Sequence, residues 1–371
     1  MPEVIEIRSI EELDAYRFQW RSLFAQTRQA SIFQTYDWLQ TYWQHFGEDQ
    51  QLRVLIVSSG GSIIGILPLV VRREQTRLGT MRVLTYPLAD WGSFFGPIGP
   101  NPTATLLASM QYISRTKRDW DLLDLRWVDD AHVDHDRTST TMQMAGLMPA
   151  KQVWKEIPVI DVSQSWDAYL ATRKSKNRQN IRRLLRRAEE REIQFERIRP
   201  LGSAFCDDDP QWELYDKCVD LAARSWQGTS TTGTTISHEN VMGYFRDVHQ
   251  IAAKRGMLDL SILNQGKETI AFGYNYHHEN YIQGMRVGYD SEKKNLGLGT
   301  LLYATQLRDS CNRDDLQFDL GPGSLQAKQQ WLSTMVQSWR ICHYSATSLR
   351  SQALRLKHWY SARQREKSAV A

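Results

Sequence analysis

The chain has 371 residues, 41% hydrophobic and 24% charged, which excludes a disordered polymer and suits two globular domains better than one. Its formal net charge of +4 fits an enzyme that handles anions and does not call for a nucleic-acid partner. The four cysteines, Cys206, Cys218, Cys311 and Cys342, form no CxxC pair, so neither a zinc site nor a disulfide framework is expected.

The opening segment, MPEVIEIRSIEELDAY, is acidic and has no apolar core of a secretory signal. The most apolar run, residues 63–71, contains Pro68 and is far too short to span a membrane. The expected location is the cytoplasm, with peripheral membrane association left open.

In chain order, Leu13, Tyr16, Trp20, Leu23 and Phe24 recur at helical spacing, and a second helix is expected over 38–46 with Asp37 as its N-cap. Residues 52–57 and 63–71 read as a hairpin around Ser-Ser-Gly-Gly, followed by a strand at 81–86. A Gly/Pro-rich loop at 89–102, a helix at 104–115 and strands at 122–127 and 154–160 complete an α/β unit. Residues 165–192 read as one long basic helical region with Ile181, Leu184, Leu185 and Ala188 on one face. The second half repeats the pattern, with helices at 212–226 and 239–255 and strands at 258–263, 269–277, 280–287 and 316–320. This order implies a structural duplication without visible sequence identity.

The chemistry concentrates after Gly288. A strand ends there, and a helix is expected to begin around Gly297 and Gly299. Glycines let backbone N–H groups approach an anion, and a helix N-terminus adds roughly half a positive charge, so a pyrophosphate fits with Lys294 as a counter-charge. A glycine turn at an ordinary strand–helix junction explains the same spacing.

The spacing Lys294-x-x-Gly297-x-Gly299 resembles the pyrophosphate loop of the GNAT acyltransferases, with Lys where Gln or Arg is usual. A wider resemblance, to the CelD-like (cellulose-biosynthesis-associated) acetyltransferases, rests on FQTYDWLQTYW (33–43), ILPLVVRR (66–73), SKNRQNIRRLLRRAEE (175–190), QGKETIAFGY (265–274) and FDLGPGSLQAKQQW (318–331). It implies an α/β (α+β) fold of two tandem GNAT-like domains, mixed sheets flanked by helices. The expected limits are 1–164 for the N-terminal domain, 165–195 for a basic bridging helix, 196–345 for the donor domain and 346–371 for a basic tail.

The resemblance further implies acetyl-CoA or another acyl-CoA as donor, held by Lys294, Asn295, Leu296, Gly297, Leu298, Gly299 and Thr300, with no metal. The implied acceptor is a small molecule or a sugar-linked intermediate of a polysaccharide or envelope pathway. In such chemistry an amine or hydroxyl attacks the thioester, backbone amides near splayed strands hold the oxyanion, and a general acid protonates the thiolate. Asp319 is the favoured acid or base, followed by Tyr303, Tyr289 and His277; a turn carboxylate and a packing tyrosine are the plainer readings of the first two. Lys328 matches the family's downstream lysine, although Ala327 stands where an aromatic residue often precedes it. Asp90 and Trp91 are expected to line the acceptor cleft, and Trp226 with its Ser/Thr/Gly-rich loop to form a lid.

Other features have plain readings too. The basic helix is either a solvated linker or a phosphate grip, and the tail a docked terminal helix or a membrane tether. His132, His135, His277 and His278 lack a third ligand at convincing spacing. Two rival functions remain: a Fem-type transferase using aminoacyl-tRNA, and a non-catalytic regulator of polysaccharide synthesis.

Overall fold

Alternation of buried strands with amphipathic helices builds two units, and in a computed structural model the chain passes from the first to the second and back. The structure describes residues 2–77, 79–87, 94–225, 228, 235–323 and 325–370; the side chains of Lys294 and of 361–370 are outside that description. Unit 1 comprises 1–28, 34–155 and 337–371, and unit 2 comprises 29–33 and 156–336.

The first half of the chain runs β1 (Glu3–Ile7), α1 (Ile10–Asp14), α2 (Arg17–Phe24), α3 (Tyr36–Phe46), β2 (Gln50–Ser59), β3 (Ser62–Thr76) and β4 (Gly79–Thr85). It continues through α4 (Pro102–Arg115), β5 (Leu122–Asp129), α5 (Arg137–Met144) and β6 (Ala150–Asp161). Then come α6 (Trp166–Ala171), α7 (Ser175–Glu190), β7 (Ile193–Ile198), α8 (Trp212–Arg224), α9 (Glu239–Lys254), β8 (Leu258–Gln265), β9 (Glu268–His278) and β10 (Tyr281–Tyr289). The chain closes with α10 (Leu298–Asn312), β11 (Gln317–Asp319), α11 (Leu325–Lys328), β12 (Thr334–Tyr344) and α12 (Leu349–Val370).

In unit 1 the strand order is β1-β2-β3-β4-β5-β12, and in unit 2 it is β7-β8-β9-β10-β11-β6. Each sheet is antiparallel through its first four strands, has one parallel pair (β4 with β5, β10 with β11), and ends on an antiparallel strand. The duplication implied by the sequence is therefore present in the topology. The closing strands come from the opposite half of the chain: Ser338 to Tyr344 of β12 pair with β5, and Val159 to Asp161 of β6 pair with β11. Each unit is an α/β mixed sheet with flanking helices. Residues 52–57 of β2 and 65–71 of β3 are buried without alternation, the pattern of strands covered on both faces.

Three local expectations change. Thr35, not Asp37, caps α3, because its hydroxyl reaches the N–H of Trp38 at 3.2 Å. The helical region 165–192 is broken into α6 and α7, because Arg178 bonds the carbonyls of Ala171 and Arg173 while Arg173 itself bonds those of Trp331 and Leu332. Arg178 gives the carbonyls freed at the break partners, and Arg173 ties the turn at 172–174 to residues 331–332. Strands β1, β7 and β12 carry too little continuous apolar sequence to be read beforehand; β1 mixes two Glu with three aliphatic residues at a sheet edge.

Candidate functional site

The candidate site grows from the place in unit 2 where two parallel neighbours part. Residues 281–283 of β10 pair with 317–319 of β11, and among the described residues the ladder stops there while β10 runs on to Tyr289. Glycine makes the close approach before the parting. A Cβ on Gly284 would lie 2.6 Å from the carbonyl oxygen of Asp319, and one on Gly321, whose φ is +69°, 2.8 Å from the carbonyl oxygen of Gly284. On its other side β10 is bulged against β9 between Gly284 and Arg286, which re-aims the strand just where it leaves β11.

The chain then turns into α10. Asp290 donates its N–H to Ile270 and accepts that of Glu292 at 2.8 Å, which folds the turn after the strand. Lys293 is pinned to Glu268 at 2.6 Å, so its charge is already matched. Gly297 caps α10 with φ +64° and accepts the N–H groups of Thr300 and Leu301 at 3.0 Å. A Cβ here would need the left-handed region and would sit 3.1 Å from Leu184. Gly299 lies against the Tyr289 ring, 3.4 Å from where its Cβ would be. Residues 294–300 thus form one continuous turn at the head of a fifteen-residue helix. Its first N–H groups lack partners within the helix, and its dipole favours an anion.

Asp319 is the last residue of β11 and is buried, with its carboxylate accepting the N–H of Gly321 at 2.6 Å. Lys328, on α11, donates to the carbonyls of Leu320, Gly321 and Pro322 at 2.7, 2.9 and 3.3 Å. Its ammonium thereby holds the turn that follows Asp319. Burial lowers its pKa to about 8, with Asp319 pulling it back up and Arg286 pushing it further down.

Arg286 is the site residue that the sequence reading missed. It bonds the carbonyl of Met285 at 2.5 Å, and burial lowers its pKa to about 10, opposed by Tyr276. A charged residue inside a strand, two positions after a glycine, is a legible signal of a bulge and a polar lining. Tyr303 is not part of this group: it packs against Trp331 at 6.0 Å between ring centres, and burial drives its pKa well up. His277 lies by the buried ion cluster of Arg197, Arg199, Asp259 and Asp315, and burial lowers its pKa to about 4. Asp90, Trp91, Trp226 and the lid loop lie outside the described residues, as does the side chain of Lys294.

Unit 1 repeats the carboxylate in different surroundings. Asp124 stands in Leu123-Asp124-Leu125 on β5 as Asp319 stands in Phe318-Asp319-Leu320 on β11. Asp124 is fully buried under Arg126 and Arg340, at 2.6 and 2.8 Å, which hold its pKa down despite burial. That carboxylate is spent on structure.

Residues 175–329 match the family model described as an acetyltransferase (GNAT) domain. This stretch is similar to GNAT acetyltransferase domains. It opens at α7 and closes one residue after Lys328, so it contains the parting strands, the glycine-capped helix and both residues of the turn clamp. A crystal structure of FemX is similar in fold, with a TM-score of 0.59 at 12% identity over 95% of this chain and 98% of that one. So is the C-terminal domain of a putative lysylphosphatidylglycerol synthetase from Agrobacterium fabrum, with a TM-score of 0.55 at 10% identity over 93% and 95%. A search of curated proteins finds no match. Among the described residues no group of three or more His, Cys, Asp or Glu could hold a metal ion, and no helix is long and apolar enough to cross a membrane.

Proposed function

We propose that unit 2 transfers an acyl group, acetyl in the simplest case, from acyl-CoA to an amine or hydroxyl. The observation that carries this reading is the parting of β10 from β11 beside a glycine-capped helix start. The opening between the strands suits an extended thiol-bearing arm, and the helix start suits the pyrophosphate at its other end. Among the described residues the β11 ladder stops short of Gly284, and the stretch of β10 beyond it is where main-chain donors would meet a thioester oxyanion. Asp319 is the carboxylate at that point and takes the proton-transfer role, on an acceptor amine or on the leaving thiolate. Lys328 holds the turn behind it, and Arg286 supplies positive potential.

The acceptor class to test first is the one that the CelD-like resemblance implies, a sugar or sugar-linked intermediate. The experiment for the donor is calorimetric titration of acetyl-CoA and longer acyl-CoAs into the wild type and Gly299→Glu. Helical φ and ordinary contact at Gly299 let the variant fold, while its carboxylate meets the phosphates head on. Binding by the wild type that is lost in the variant supports the reading; no binding of any acyl-CoA removes it. A second reading, aminoacyl transfer from tRNA, is favoured by the exposed arginines of α7, and salt-sensitive binding of an acceptor-stem RNA with no affinity for CoA would select it.

A further inference from the structure

Arg183 and Arg187 on α7 and Arg191 at its C-cap are exposed, and their arrangement is specific. Ile181, Leu184 and Ala188 make the buried seam of this helix. Ala188 clusters with Leu298 and Leu301, and Ile181 with Ala304 and Leu307. The C-terminal end of α7 therefore lies beside the N-terminal end of α10, and Leu184 is the side chain that approaches Gly297. Arg183, Arg187 and Arg191 follow one another at four-residue spacing, all exposed. Arg187 is three residues after Leu184 and Arg191 three after Ala188, so this row runs along the flank of the seam that meets the donor loop.

Like charges at this spacing repel and weaken a helix. Nearby anions do not relieve them here. Arg183 donates to the side-chain oxygen of Asn180 at 2.7 Å, and Glu190 is 3.6 Å from Arg186 on the far side. Among the described residues no ion pair is recorded for Arg187 or Arg191.

We propose that Arg183, Arg187 and Arg191 bind the 3′-phosphate of the coenzyme A donor. The proposal rests on the donor reading above, which places the pyrophosphate at residues 294–300. In coenzyme A a single ribose separates that pyrophosphate from the 3′-phosphate, a span that long arginine side chains on the adjacent helix cover. A dianionic phosphomonoester with three acceptor oxygens matches several guanidinium groups in a row.

The test compares CoA with 3′-dephospho-CoA by calorimetry at one fixed ionic strength. The wild type is expected to bind CoA roughly tenfold more tightly or better, the gain of charge-assisted hydrogen bonds to the extra phosphate. The triple variant Arg183→Gln, Arg187→Gln, Arg191→Gln is expected to bind both ligands alike, at the wild-type affinity for 3′-dephospho-CoA. Glutamine keeps helix propensity, and thermal melting checks the fold. Equal affinity of the wild type for both ligands overturns the proposal without any variant. Parallel loss of both ligands in a variant that melts like the wild type overturns it as well. If the wild type binds neither, the donor reading itself falls and takes this one with it.

Discussion

Replacing Lys328 with methionine separates two roles for the same side chain, turn clamp and substrate contact. The geometry assigns the three ammonium protons to the carbonyls of residues 320–322 at 2.7, 2.9 and 3.3 Å. Hydrogen bonds to a charged group contribute about 1.5 kcal/mol each at the low end, so about 4.5 kcal/mol is lost on removing the donor. Burial of the ammonium opposes this. The fall in pKa from 10.5 to about 8 corresponds to about 3 kcal/mol at most. Lys328 is half-buried, and solvent screening reduces that figure further. The net expectation is a loss of about 2 kcal/mol in Lys328→Met. Urea unfolding measures it as a lower midpoint at unchanged slope. The acyl-CoA titration run in parallel should show weaker binding, since the turn walls the opening beside Asp319. An unchanged midpoint with lost acyl-CoA binding would refute the clamp and return Lys328 to the role of a substrate contact.

Gly284→Val should close the opening between β10 and β11, because its Cβ would meet the Asp319 carbonyl oxygen at 2.6 Å; the expected result is loss of acyl-CoA binding and a stability cost of about 1–3 kcal/mol. His249 is a buried pH-sensitive element: its Nε2 donates to the Pro210 carbonyl at 2.6 Å, its Nδ1 accepts from the Tyr274 hydroxyl, and burial lowers its pKa to about 4. The unfolded chain binds that proton more tightly, so the stability it contributes is full above about 6.5 and is lost as pH falls toward 4. His249→Gln keeps a donor and an acceptor without the titration, and urea midpoints measured at pH 7.5 and 5 should differ less in the variant than in the wild type. The Gly299→Glu and α7 arginine titrations described above complete the set.

The duplication was legible because both halves spend their residues in the same order, and strands such as 52–57 and 63–71 announce themselves by continuous apolar runs. The head of α10 was legible for a local reason: Gly297 needs positive φ, and that demand is visible at one stretch of chain. Edge strand β1 was not legible, since its Glu-Val-Ile-Glu-Ile run is held by pairing with β2 and buries only Ile7. Nor was the break between α6 and α7, which depends on Arg173 reaching the carbonyls of Trp331 and Leu332, some 160 residues away.

By itself the sequence determined the periodicities, the glycine-capped helix start and the acidic end of β11, because each is encoded within a few neighbouring residues. Tertiary structure alone decided that the β10–β11 ladder stops at Asp319, that β6 and β12 each close the sheet of the unit formed by the other half, and that Lys328 spends its protons on a turn. It also decided that the matching carboxylates Asp124 and Asp319 differ in use, since the arginines that consume Asp124 come from β5 itself and from β12, more than 200 residues along the chain. Such assignments depend on which side chains meet across long sequence separations, and no local pattern records that.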